Sequence, residues 1–404
     1  MAASQPAFSI CEGATPGSAG YLNRSTDPWT SFSSDGKIVY SISDSFNANG
    51  PGFGGASSII ISRSTNGGVN WKAPVTAIYT ASTNALNDKE SVTADSIDPN
   101  AAYAVWDRLV SPSLNANPSA FNHVFAYRGP TLFSKTTDGG QTWSAGRVIF
   151  DPGEYNQTIG NQIVVPSAGP AKGVLIDGFD LITNKGGKGH NQRSTDSVAV
   201  IRSTNGGASW SAPIIVAPEQ VASVSTAGHP VRSSDTLPEF AVGPEGNLYA
   251  VWQDARFSPT GASKIAFSMS TDGGLTWSTP IRADQSIGDT PAFVPPIHAS
   301  SDGTVGLSYY DLEPATSANP GLTNASIAHC HSGCAAPGNW AVNGEAQLST
   351  TGPFDYTTAP DAGGYFLGDY EGLTASNTTF DPFFMMSQPI ATKGPTDPFA
   401  NQAH

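Results

Sequence analysis

Polar and ionisable residues recur in six short clusters along the 404-residue chain. They are Asp27-Pro-Trp29, Asp88-Lys89-Glu90, Asn161-Gln162, Asp235-Thr-Leu-Pro-Glu239, Pro295-Pro-Ile-His298 and Asp369-Tyr370-Glu371. Carboxylates gathered at one place raise one another's pKa, which suits a general acid, or else they hold a cation such as Ca²⁺. Asp88, Glu90, Asp235, Glu239, Asp369 and Glu371 are therefore candidates for a pair that cleaves a glycosidic or related ether-type linkage. The separation of such a pair decides between retention and inversion. Tyr370 and His298 support a different chemistry, proton abstraction beside a carboxylate followed by elimination. Arg24, Lys89 or a bound cation would then neutralise the uronate. Asp27, Trp29, Asn161, Gln162 and Arg256 complete the candidates for holding substrate. No metal-ligating set is assigned. The plain alternative is that these side chains cap strand ends and bond to neighbouring strands, and His298 alone reads more readily as a satisfied interior histidine.

The elements that must position these clusters follow from composition and repeats. Gly (43) and Pro (31) are abundant, charged residues make only 13% of the chain, and aromatic residues make 10%. Long helices need more helix formers and charge than this, and so aromatic-rich a chain does not stay disordered. An all-β protein with many turns remains. The net charge of −14 repels phosphate backbones, so nucleic acid is excluded as a partner, and no apolar run is long enough to span a membrane as a helix.

One phrase returns at a regular interval, ending at Trp71, Trp143, Trp210 and Trp277, with spacings of 72, 67 and 67 residues. Each copy is a strand, an Asx-Gly-Gly turn and a Trp, and a degenerate fifth copy ends at Trp340. Asx-Gly-Gly makes a tight turn with positive φ, and the Trp is expected to pin the hairpin that it closes. A second strand ending in Asp precedes each phrase, at Asp44, Asp107, Asp177, Asp254 and Asp311, which read as scaffold. Arg108 and Arg256, which follow two of these segments, would pair with them or reach a ligand. Each unit thus reads as four antiparallel strands, the pattern of a propeller blade. Five units precede Trp340 and a sixth begins near Tyr365. The expectation is one six-bladed β-propeller domain over 1–404, with residues 5–22 completing the last blade. The innermost strands line a central channel, and the six polar clusters open those strands. The glycine-rich stretches at 50–55 and 185–189 read as long surface loops.

The Ser-x-Asp-x-Gly-x-Thr-Trp phrase resembles the Asp-box (BNR repeat) of the sialidase superfamily of six-bladed propellers. Ser270/Asp272/Gly274/Thr276/Trp277 and Thr136/Asp138/Gly140/Thr142/Trp143 fit best, while Asn66 and Asn205 replace Asp in the other copies. The resemblance implies the fold and a secreted, sialidase-like glycosidase. It also implies three clamp arginines, a Tyr–Glu nucleophile and an Asp acid/base. Arg24, Asp44, Glu239, Arg256 and Tyr370 fall in that order, but the Arg-Ile-Pro signature is absent and no arginine follows Arg282. Sialic-acid cleavage is therefore disfavoured. A hydrolase acting on carbohydrate is the first reading, a non-catalytic carbohydrate-binding propeller the second and a polysaccharide lyase the third. The protein is expected to be a secreted monomer, glycosylated at sequons among Asn23, Asn156, Asn324 and Asn377. Cys330 and Cys334 are close enough to form a disulfide loop, which in an exported chain is favoured over zinc held with His329 and His331.

Overall fold

The structure is a computed structural model and describes residues 5–47, 53, 55–113, 127–184, 194–235, 237–341, 345–387 and 396–403. The loop at 185–189 and most of that at 50–55 lie outside the described residues. The fold is all-β, a six-bladed propeller of four-stranded antiparallel blades. The chain divides into two compact units, residues 1–167 with 173–215 and residues 168–172 with 216–404.

In the first unit, blade 1 runs Arg24–Phe32, Val39–Phe46, Ser57–Ser64 and Val75–Thr80. Blade 2 runs Ala85–Ala94, Ala102–Val110, Thr131–Thr136 and Arg147–Phe150. Blade 3 runs Gln157–Val164, Leu175–Asn184, Ser197–Ser203 and Ile214–Pro218, with the division between units falling inside its last strand. In the second unit, blade 4 runs Glu239–Val242, Leu248–Asp254, Lys264–Ser270 and Ile281–Arg282. Blade 5 has an interrupted first strand, Ala292–Phe293 and Ile297–Ala299, followed by Val305–Asp311, Leu322–Cys330 and two short outer segments, Glu345–Gln347 and Phe354–Asp355. Blade 6 shows Gly372–Ser376, Thr379–Ser387 and Thr396–Ala400 among the described residues. An extra hairpin, Val224–Thr226 paired with His229–Val231, precedes blade 4.

Residues 5–22 form no strand. They make a 3-10 turn at Ile10–Glu12, and the Phe8 carbonyl accepts a hydrogen bond from Ser45 of blade 1 at 2.7 Å. The expected edge strand fails for a local reason: Gly13, Gly17 and Gly20 break any extended run, and the first two take positive φ.

The repeated turns fold alike in all four copies. In blade 2, Asp138 Oδ1 accepts from Thr136 Oγ1 and from the backbone N–H groups of Gln141 and Thr142, while Oδ2 accepts from Thr142 Oγ1 at 2.6 Å. Asp272 repeats this set with Ser270, Leu275 and Thr276. Asn66 and Asn205 keep the Oδ1 bonds, to Ser64 and Asn70 and to Ser203 and Ser209 respectively. Hydrogen bonds from Thr142 in particular hold the Asp138 carboxyl down at about 2.

Three of the tryptophans reach beyond the hairpins that they close. Trp143 of blade 2 meets Tyr40 of blade 1 edge-on at 6.2 Å, and Trp210 of blade 3 meets Phe133 of blade 2 at 5.6 Å. Trp340 of blade 5 likewise meets Phe267 of blade 4 at 5.1 Å. In these three copies the phrase is also a clasp onto the preceding blade. Its second glycine is required twice over, since Gly140 and Gly207 have φ of +77° and +82° and a Cβ there would strike Tyr40 and Phe133. Arg63 and Lys135 add bonds to the Gly139 and Gly206 carbonyls of the next turn.

Candidate functional site

One backbone device recurs at the opening of every first strand. Asp27, Lys89, Gly160, Ser234, Val294 and Gly368 all have positive φ. In blades 1 to 3 this residue sits in a β-bulge, between Thr26 and Trp29, between Asp88 and Ser91, and opposite Gly178–Asp180. Four of the six are not glycine, and Val294 is β-branched, so the conformation is strained and is held by its surroundings. A bulge re-aims the side chains around it, and here it turns the polar clusters out of the strand alternation. The repeated Asx-Gly-Gly turns lie at the opposite end of each blade. In blade 2, Thr136 pairs with Ala102 whereas the bulge pairs with Asp107, five residues or roughly 17 Å away along the strand.

In the first unit the bulges of blades 1 and 2 build an ionic cluster. Lys89 Nζ lies 2.6 Å from Asp27 Oδ2 and 4.0 Å from Asp88 Oδ1, and all three side chains are no more than 21% exposed. Beneath them Glu90 accepts the backbone N–H of Asp44, and Asp44 accepts from Thr26 through both N–H and Oγ1. Burial drives the Asp44, Glu90 and Asp107 carboxyls well up, reinforced by neighbouring negative charge from Asp27 and Asp88. Lys89 supplies positive charge within this carboxyl-rich group. Among the described residues no group of three or more His, Cys, Asp or Glu is placed to hold a metal ion. Asn161, of the blade 3 bulge, is buried, with Oδ1 accepting from Thr131 and its carbonyl accepting from Ser91. Trp29 and Gln162 occupy one register position, opposite Ile42 and Gly178. Trp29 also packs against the apolar core of blades 1 and 2. Arg24 pairs with Phe46 at the exposed start of its strand, three residues before Asp27.

In the second unit the segment Gly368–Glu371 carries two carboxyl groups in contrasting settings. Asp369 is 9% exposed and is gripped by Arg232 through two bonds, Nε to Oδ1 at 3.1 Å and Nη2 to Oδ2 at 2.8 Å. Ser234 Oγ donates to the same carboxylate. The Arg232 guanidinium also lies over the Phe366 ring, 4.2 Å from its centre. Two residues on, Glu371 Oε1 is 2.7 Å from the Tyr310 hydroxyl, which bonds Met385 as well. Burial pushes the Glu371 carboxyl up to about 8, against the opposing pull of its hydrogen bonds, so it carries its proton at neutral pH. Asp235 follows Ser234 and is half-buried, while Glu239 is buried, opposite Val251.

His298 stands apart from this level. It lies four residues beyond Val294, paired with Gly306, or roughly 13 Å further along the strand, and burial lowers its pKa. Tyr370, two residues past Gly368, remains with Asp369 and Glu371. Arg256 is committed to Asp254 at 2.7 Å and to the Pro218 carbonyl. Arg108 bonds Asn87 and Thr80 rather than a neighbouring Asp. Pairing across the strands also corrects the series of second-strand aspartates. The residues facing the bulges of blades 1, 2, 3 and 5 are Asp44, Asp107, Asp180 and Tyr310. Asp254 instead caps the 3-10 turn at Ala255–Phe257, and Asp311 accepts from Glu313, Asn324 and Ser326. No local sequence motif marks Arg232, Ser234 or Tyr310 as site residues. Arg232 and Tyr310 reach Asp369 and Glu371 across 137 and 61 residues, which no local motif reports.

No family model matches the chain, and no curated protein matches it. Solved structures with the same fold do. A Hadza microbial sialidase is 16% identical with a TM-score of 0.54, over 91% of this chain and 64% of that longer one. The intramolecular trans-sialidase from Ruminococcus gnavus, in complex with oseltamivir carboxylate, is 14% identical with a TM-score of 0.50, over 91% of both chains. The α-L-arabinofuranosidase Arb93A from Fusarium graminearum, in complex with an iminosugar inhibitor, is 13% identical with a TM-score of 0.55, over 94% and 93%. At these identities the likeness is one of fold.

Proposed function

We propose that the protein is a glycosidase-type hydrolase of carbohydrate, with Glu371 as its general acid. The observation that carries this reading is the contrast within one three-residue segment: a neutral Glu371 two residues from an Asp369 carboxylate fixed by Arg232. A carboxyl that burial keeps protonated, on a segment held in place by an ion pair, is the setting that a general acid of glycoside hydrolysis needs. Glu371 gives its proton to the departing glycosidic oxygen, with Tyr310 fixing its orientation. Asp235, beside the Ser234 that touches Asp369, serves as the second carboxylate, on water or on the anomeric carbon. Arg232, Ser234 and Asp369 brace the segment. Solved structures of the same fold include sialidases and an arabinofuranosidase, which supports a glycan substrate. With Arg256 tied to Asp254, a three-arginine clamp on a sialoside carboxylate finds less support than cleavage of another glycoside. The Cys330–Cys334 disulfide supports export to an oxidising compartment.

The test is a hydrolysis screen on aryl arabinofuranosides, aryl hexosides, sialosides and plant polysaccharides. Wild type is compared with Glu371→Gln and Asp235→Asn. Turnover lost in both variants, with a cooperative fold retained and Glu371→Gln no less stable than wild type, is expected. Full turnover in Glu371→Gln, or glycan binding without turnover in wild type, would overturn the assignment.

A further inference from the structure

The third strand of blade 5 ends at Cys330, with His329 before it and His331 directly after, where the Cys330–Cys334 disulfide replaces the Asx-Gly-Gly turn of blades 1 to 4. Side chains alternate along a strand, so the two histidines share one face and the cysteine takes the other. This alternation keeps the sulfur and the imidazoles from forming one tetrahedral site. It leaves a His-x-His pair. The ring centres are 5.0 Å apart with the planes at 76°. Two imidazoles bound cis to one first-row ion, with metal–nitrogen bonds of about 2.1 Å, place their ring centres about 5 Å apart. Thr304, just before the neighbouring strand Val305–Asp311, holds His331 Nδ1 at 2.9 Å through its hydroxyl, which leaves Nε2 as the ring's ligating nitrogen. That is the outer-shell arrangement by which proteins fix the ring of a ligating histidine. His331 is exposed and His329 half-buried at the same edge.

We propose that His329 and His331 form a surface site for a divalent first-row transition ion of the Cu²⁺, Ni²⁺ or Zn²⁺ class, with water completing the coordination. Imidazole suits these ions, and a two-nitrogen site with open positions favours Cu²⁺ over Ni²⁺ and Zn²⁺. The site is separate from the Asp369–Glu371 segment and does not depend on the hydrolase reading. A reporter is built in. Trp340 Nε1 donates to the Cys334 carbonyl at 2.9 Å, and Cys334 is joined by its disulfide to the residue between the two histidines.

The experiment titrates the oxidised full chain with CuCl₂, followed by tryptophan fluorescence and by electron paramagnetic resonance. Expected are a saturable quench at one equivalent, coupling to two imidazole nitrogens and weaker binding of Ni²⁺ and Zn²⁺. His329→Gln and His331→Gln should each weaken Cu²⁺ at least about 10-fold, and Thr304→Val should weaken it by about 10-fold through loss of the ring's support. An unchanged titration in the double His329→Gln/His331→Gln variant would overturn the site, as would coupling to a single nitrogen in wild type.

Discussion

Replacing Glu371 by Gln removes one ionisable group from a site where ionisation is penalised, and the size of that penalty sets a measurable pH dependence of stability. The carboxyl titrates near 8 in the fold and near 4.5 once unfolded. Below 4.5 both states are protonated and the group contributes no difference. From 4.5 to 8 the unfolded chain releases the proton while the fold keeps it. Wild type therefore loses stability as pH rises, at up to about 1.4 kcal/mol per pH unit. Full loss over that interval is about 5 kcal/mol. Because the side chain is only half-buried, solvent screening reduces the expected figure to roughly 2–3 kcal/mol. Glu371→Gln keeps the shape and an acceptor for Tyr310 and does not titrate. Urea unfolding of both proteins at half-unit steps from pH 4.5 to 9 measures the difference, in which the other buried carboxyls cancel. The variant should gain on wild type by roughly 2–3 kcal/mol by pH 8 and no further above it. Parallel curves across the whole range would refute the reasoning.

Three further outcomes follow from the blades themselves. Asp272→Ala removes four hydrogen bonds from one exposed turn and should cost about 1–2 kcal/mol in chemical unfolding, with activity retained. Gly207→Ala places a methyl against Phe133 at positive φ. It should cost about 1–3 kcal/mol and lower the melting temperature measured by calorimetry, more than Gly67→Ala, which meets open space. Reduction of Cys330–Cys334 should cost about 2 kcal/mol, because the loop it closes is short.

The repeats made the blades legible, because strand, turn and Trp return at nearly constant spacing. The partner of each Trp was not legible. Trp143 and Trp210 reach the previous blade, and the same letters fit a pin within the hairpin equally well. Matching by residue type also misplaced Asp177, Asp254 and Asp311, which share a letter with Asp107 but not its strand register. The polar clusters open each first strand; Asp88, Glu90 and Asp369 lie with other charged groups there, and Glu371 with the Tyr310 hydroxyl. What gathers them was hidden, since Asp27, Lys89, Ser234 and Val294 are residue types that rarely take positive φ. Arg232 was equally hidden. It directly follows an extra hairpin and meets Asp369 only through the fold.

The pH dependence of kcat on a glycoside that the protein turns over tests the general-acid role of Glu371 most directly. The rate should fall above about pH 8 as Glu371 loses its proton, and Glu371→Gln should remove that limb together with most of the activity towards poor leaving groups. A rate that stays level from pH 6 to about pH 10, or an alkaline limb that persists unchanged in Glu371→Gln, would contradict it.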